Sequence, residues 1–299
     1  MIYICKLHLK KHFPFNDKKS VKVIFLIAVF SLLLINCSQP NENRITIKGS
    51  DTMVMLVQLW TEFYPNKSAV QFQVTGGGSG VGIAALLNAT TDVCSASRPI
   101  KKKEIAKLNE LYNTSGYEVR VATDGIAVYV HKDNPITKLT IDQVQKIFIG
   151  EISNWKQLGG NDEQIILYSR ENSSGTYEFF KDRVLKKKDF AANAQNLVGS
   201  SALISAVSKD PYGIGFSSAA FSSGISVVAL AENDTSEYYL PTEETIANAT
   251  YPVSRFLYFY LREKPSGETK KFIDWILTPE GQSVVHKAGY FPVKLRKDE

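Results

Sequence analysis

Three short stretches concentrate the hydroxyls and glycines of this 299-residue chain: Gly49-Ser50-Asp51-Thr52, Gly76-Gly77-Gly78-Ser79-Gly80-Val81-Gly82 and Ser169-Arg170-Glu171-Asn172-Ser173-Ser174-Gly175-Thr176. Each follows a β-rich run and leads into a stretch with helical spacing. A helix N-terminus exposes unpaired N–H groups and carries about half a unit of positive charge. Glycines let the backbone approach closely and turn its amides inward as an anion nest. Ser and Thr add donors without bulk, and Arg170 supplies a planar cation able to bond two oxygens at once. The chemistry this composition suits is capture of a tetrahedral oxyanion. A hydrogen bond to a charged group contributes about 1.5–3 kcal/mol net, and a micromolar site needs about 8 kcal/mol, so several such bonds meet the requirement.

Rival chemistries fail on spacing. Gly77 and Gly82 are separated as in a phosphate-binding P-loop, but Ile83 stands where Lys is required. Gly76 and Gly78 lack a further Gly three residues on, so the dinucleotide fingerprint is absent. Ser79 is preceded by Gly77 but followed by Val81, which rules out a nucleophile elbow. Beyond residue 36 only His131 and His286 remain, which argues against a metal cluster or a His-based triad. Ser50, Asp51 and Thr52 are equally readable as ordinary helix caps. Trp155 and Tyr258 read as core, and the runs Lys101-Lys102-Lys103 and Lys186-Lys187-Lys188 as solvated helix ends.

The elements that must position these loops alternate. Strands are expected at 44–48, 70–74, 92–96, 119–131, 165–168 and 251–261. Helices are expected at 53–64, 83–88, 141–149, 176–187, 202–208, 268–277 and 279–287. A repeated β-loop-α order means an α/β fold with a mostly parallel sheet. The strands at 119–131 and 251–261 are longer than a sheet needs, and each lies between α/β blocks. They read as two hinge crossings of a two-lobed molecule, with residues 44–124 and 251–299 forming lobe 1 and residues 125–250 forming lobe 2. Ligands in such folds bind at the carboxyl ends of strands, between lobes.

The amino-terminal segment belongs to none of this. Lys6, Lys10, Lys11, Lys18, Lys19 and Lys22 precede an apolar run from Val23 to Ile35, too short for a comfortable membrane span of about 20 residues. It has the length of a signal-peptide core, and Asn36-Cys37 at its end resembles a lipobox. Residues 1–36 are therefore expected to be a lipoprotein signal peptide. Cys37 would be the lipidated mature N-terminus and residues 37–43 a tether. The protein would sit outside the cytoplasm, held to a membrane. That segment holds six lysines against one aspartate, the whole excess of 35 basic over 30 acidic residues. The remainder carries 29 of each, which removes the basis for a nucleic-acid partner and makes any anion specificity local. Cys94 is then the one cysteine left after Cys37, and reads as a small buried hydrophobe.

An ordered set of motifs adds a resemblance. Gly49-Ser50-Asp51-Thr52-Met53, the Gly76–Gly82 run, Ser97-Arg98-Pro99, Thr123-Asp124-Gly125, Phe148-Ile149-Gly150-Glu151-Ile152-Ser153-Asn154-Trp155, Arg170–Thr176 and Ala288-Gly289-Tyr290 are similar, in order, to the phosphate-binding subunits of phosphate ABC importers. The resemblance implies a type II periplasmic-binding-protein fold that closes on inorganic phosphate and delivers it to permease subunits. It implies a monomer that is not an enzyme, with no cofactor and no metal. It implies ligands Ser50, Thr52 and Met53 from the first loop, Ser79 and Gly80 from the second, and Arg170, Ser174, Gly175 and Thr176 from the third. Larger members of the family place an Asp where Ser97 stands here, and it accepts the proton of hydrogen phosphate. In this chain the role falls to Asp124 or Asp51, with Asp124 favoured. The alternatives are a binding protein for sulfate, molybdate or tungstate, and a secreted phosphatase.

Overall fold

A computed structural model describes residues 43–293 except Ser223. Cys37, the leader and nearly all of the tether lie outside the described residues. Ten strands form one mixed sheet: β1 (Arg44–Gly49), β2 (Gln71–Thr75), β3 (Val93–Ala96), β4 (Tyr117–Val130), β5 (Lys138–Thr140), β6 (Ile166–Arg170), β7 (Gln195–Leu197), β8 (Gly213–Ser218), β9 (Ser226–Ala231) and β10 (Ser254–Leu261). The helices are α1 (Val54–Phe63), α2 (Ser79–Leu87), α3 (Lys102–Tyr112), α4 (Ile141–Phe148), α5 (Gly175–Arg183), α6 (Ser200–Lys209), α7 (Glu243–Ala247), α8 (Gly267–Ile276) and α9 (Pro279–Lys287). None of these is long and apolar enough to cross a membrane.

The main path of the sheet runs β2-β1-β3-β10-β4-β8-β6-β7. It is parallel on both flanks, where β-loop-α units repeat, and antiparallel where β10 and β4 pass through its middle. β4 is the unusual element. Tyr117 to Gly125 pair with β10, whereas Ile126 to Val130 pair with β8, so the strand changes partner between Gly125 and Ile126. A bulge at Leu257/Tyr258 interrupts the first of these pairings.

Two apolar cores lie on either side of that change. The first gathers Ile47, Met53, Trp60, Val121, Phe259 and Tyr290; the second gathers Val128, Phe148, Phe180, Phe216 and Val253. Burying one such side chain stabilises the fold by about 1.5–3 kcal/mol. Trp60 also donates its indole N–H to Gly281 O at 2.9 Å, which fastens α1 to α9. Both long segments feed both cores: Val121 and Val128 come from β4, Phe259 and Val253 from β10 and the residues before it. A third, short crossing follows α9. Tyr290 packs in the first core, while Phe291 packs against the second and exchanges two backbone hydrogen bonds with Thr123, at 2.7 and 3.0 Å.

Boundaries shift where tertiary packing overrides local preference. Helix α2 begins at Ser79 rather than Ile83, because its first turn packs on β1 and β3 despite two glycines of poor helix propensity. Helix α3 hides in a charged run whose one fully buried residue is Leu108. β8 and β9 are not among the expected strands, although Asp210-Pro211-Tyr212-Gly213 and the Ser-Gly pair at 223–224 are turn signatures just before them.

Candidate functional site

Three strand-to-helix junctions meet in one buried cluster. After β1, the chain makes a short 3-10 turn at Asp51–Met53 before α1. After β2, Gly78 holds φ at 94°, a conformation side chains resist, and turns Ser79 into the first position of α2. After β6, Ser174 caps α5, its hydroxyl oxygen accepting the Thr176 and Tyr177 N–H groups at 3.2 and 3.3 Å. The second and third junctions touch directly: the Gly80 N–H donates to Ser173 O at 2.9 Å.

Hydroxyls from all three interlock. Ser50 donates to Ser97 Oγ at 2.9 Å, and Ser79 Oγ lies 3.3 Å from the same oxygen while accepting the Ser97 N–H at 3.0 Å. Thr52 Oγ1 and Thr176 Oγ1 are 3.0 Å apart. Tyr290, from the third crossing, donates its phenol to Thr52 O. All of these hydroxyl-bearing side chains are buried. The Ser79 and Gly175 N–H groups open their helices, where no preceding turn offers an acceptor.

A buried ion pair underlies the cluster. Arg255 on β10 stands directly opposite Asp124 on β4. Its Nε and Nη2 donate to Asp124 Oδ2 at 3.1 and 2.8 Å, Nη1 to Ser97 O at 2.7 Å, and Nη2 also to Thr176 Oγ1 at 3.0 Å. Asp124 Oδ1 accepts the Ser218 hydroxyl at 2.6 Å. Burial pushes the Asp124 carboxyl above the usual carboxylate range, against the pull of Arg255. The same burial lowers the Arg255 guanidinium, against the pull of Asp124.

Arg170 forms the other charged part. Its guanidinium is buried and donates to Ser200 Oγ at 2.9 Å, at the start of α6, and to both carboxylate oxygens of Glu171 at 3.2 and 3.0 Å. Nη2 lies 3.5 Å from Asp51 Oδ2. Asp51 Oδ1 accepts the Gly77 N–H at 2.7 Å, whereas Oδ2 is buried with no hydrogen-bond donor. No group of His, Cys, Asp or Glu among the described residues could hold a metal ion.

The structure thus brings Ser50, Thr52, Ser79, Asp124, Gly175 and Thr176 together, with Arg170 and Asp51 alongside. Gly80 presents its N–H to the third loop and Ser174 acts as a cap. Met53 does not join the cluster through its side chain, which lies in the first core, and its N–H bonds Ser50 O at 3.0 Å. Arg255, Ser218 and Ser200 carry no signal in the loops and were missed. Opposite charges at Asp124 and Arg255 on two long strands were the one available hint.

Comparison with known proteins agrees with this geometry. The model of the PBP superfamily domain matches residues 36–280. The phosphate-binding protein PstS of Pseudomonas aeruginosa is 34% identical over 272 residues, spanning 84% of this chain and 83% of that protein. PstS of Borreliella burgdorferi is 30% identical over 290 residues, spanning 91% of this chain and 99% of that one. A Clostridium perfringens substrate-binding protein of the phosphate ABC transporter class, crystallised with bound phosphate, superposes with a TM-score of 0.77 at 34% identity, covering 84% of this chain and 100% of its own. A family match over most of the chain, the identity shared with PstS proteins and the shared fold place the chain in the PBP superfamily, among the PstS phosphate-binding proteins.

Proposed function

We propose that the chain is an extracytoplasmic protein that binds inorganic phosphate and hands it to the permease subunits of an ABC importer. The observation that carries this reading is the convergence of three strand-to-helix junctions on one buried set of hydroxyls flanked by two guanidiniums. Its named relatives are phosphate-binding proteins, and one structural neighbour holds phosphate. Net charge does not hold the anion, since Arg170 and Arg255 face the carboxylates of Asp51, Glu171 and Asp124. Aligned amides and hydroxyls do that work, with Ser50, Thr52, Ser79, Ser174 and Thr176, the Ser79 and Gly175 amides and Arg170 as the donors.

Of the two candidate proton acceptors, Asp51 is the one with an oxygen to offer. Asp124 already receives Ser218 on one oxygen and Arg255 on the other, while Asp51 Oδ2 has no donor. Hydrogen phosphate has a proton to give such an oxygen, and sulfate has none. We read residues 44–124 and 251–299 as one lobe and 125–250 as the other, closing about β4 and β10 to bury the anion. We also infer attachment to a membrane through lipidated Cys37.

Calorimetry of the leaderless protein, stripped of ligand, tests the reading. Micromolar or tighter binding of phosphate, with sulfate, molybdate and tungstate weaker, is the expected result. No phosphate binding below millimolar concentration overturns it. Hydrolysis of a phosphate monoester that disappears in Ser79→Ala would replace it with phosphatase activity.

A further inference from the structure

We propose that Arg255 is a positioning residue of the anion site, acting through Thr176 and Ser97 rather than on the ligand; the inference rests on the phosphate reading above. The guanidinium is buried where β10, β4, the segment after β3 and the start of α5 meet. Its bonds to Asp124, Ser97 O and Thr176 Oγ1 engage four of its five N–H groups. The Phe179 ring lies 5.7 Å from its central carbon and covers one side. Little donor capacity is left for an anion.

The consequence lies in the direction of the hydroxyl protons. A guanidinium donates and never accepts, so the bond to Thr176 Oγ1 runs one way. It occupies a lone pair of that oxygen and leaves the Thr176 proton free for an acceptor other than Arg255, while Thr52 Oγ1 stands 3.0 Å from the same oxygen. Ser79 is treated alike: its oxygen accepts the N–H of Ser97, and Arg255 pins the carbonyl of that same residue. One cation therefore sets hydroxyls from two loops in the donor sense. An anion needs that sense, because a lone pair turned toward it would repel. Asp124 holds the guanidinium in place through the β4–β10 register, and Ser218 holds Asp124.

A double-mutant cycle read by calorimetry with inorganic phosphate tests this, using the parent protein, Thr176→Ala, Arg255→Lys and the combined variant. Each single change is expected to weaken phosphate binding at least about tenfold, and the combined variant to lose less than the product of the two single losses, since Thr176→Ala leaves Arg255 only its route through Ser97. Losses that multiply, as an independent structural role would give, overturn the inference; so does an Arg255→Lys protein with parental affinity. Should Arg255→Lys fail to fold, the pair Arg255→Met and Asp124→Leu removes both charges together without orphaning either. That variant is expected to lose as much affinity as Thr176→Ala, and its retention of parental affinity also overturns the inference. A parent protein that does not bind phosphate sinks the functional reading itself, whereas a binding parent with an indifferent Arg255 sinks only this step.

Discussion

Gly175 and Ser79, brought from opposite ends of the cluster, approach so closely that no side chain fits between them. A Cβ at Gly175 would lie 2.2 Å from Ser79 Oγ and 2.6 Å from Ser97 Oγ. The backbone of Gly175 itself is open to alanine, since its φ is not positive. The constraint is one of contact between loops. Gly175→Ala is expected to keep both cores and the melting temperature nearly unchanged while forcing the second and third loops apart. Phosphate affinity should fall by more than about tenfold, because several charged hydrogen bonds depend on that approach. Titration calorimetry beside a thermal melt separates the two effects, and unchanged affinity would show that the contact is not part of the bound state.

Arg170 is the buried cation nearest Asp51 and Glu171. Arg170→Ala removes it and leaves those carboxylates facing the anion without compensation. A loss of more than about tenfold in phosphate affinity is expected, since each charged hydrogen bond contributes about 1.5–3 kcal/mol. A smaller loss would assign Arg170 to packing against Ser200 alone.

Selectivity should reside in Asp51. Asp51→Asn replaces an acceptor that repels fully ionised anions with a neutral amide that can donate. Phosphate binding is expected to weaken and sulfate binding to strengthen, narrowing the ratio between them. Asp124→Asn serves as the contrast: it should lower stability through its unpaired Arg255 partner more than it alters that ratio. Competition titrations with both anions read the difference, and an unaltered ratio in Asp51→Asn would return the role to Asp124.

Acid should loosen the segment that carries Ser97. Burial alone would raise the Glu104 carboxyl, but two hydrogen bonds from Arg98 and one from the Lys101 N–H outweigh it and hold it below the ordinary 4.5. A carboxylate depressed in the folded state contributes stability that is present above its unfolded value and fades as pH falls through the folded one. The melting temperature of the parent should therefore drop below about pH 4.5, and Glu104→Gln should flatten that part of the profile while being less stable at neutral pH. Equal acid slopes in the two proteins would count against the pairing.

The three loops were legible because glycine, serine and threonine at a helix entrance are a local signal, set within a few residues of one another. The buried pair was not. Asp124 and Arg255 are 131 positions apart, and only the register of β4 against β10 makes them opposite. Ser218 enters through a second register, that of β8 with Ile126, and Ser200 through the packing of α6 behind Arg170. Met53 shows the reverse error. Its place beside Thr52 in the motif was plain, but the 3-10 turn that follows Ser50 rotates its side chain into the first core. Contacts made by chain neighbours can be read from spacing; contacts made by sheet register cannot be read until the pairing is known.

Because β4 exchanges one neighbouring strand for another just past Asp124, the ion pair stands where the two stretches of sheet meet, bonded to Ser97 on one side and Thr176 on the other. If the lobes part about β4 and β10 as proposed, Thr176 and Phe179 would leave Arg255 while Asp124 stays with it, so opening would cost the guanidinium one hydrogen bond and the cover of one ring but not its carboxylate partner.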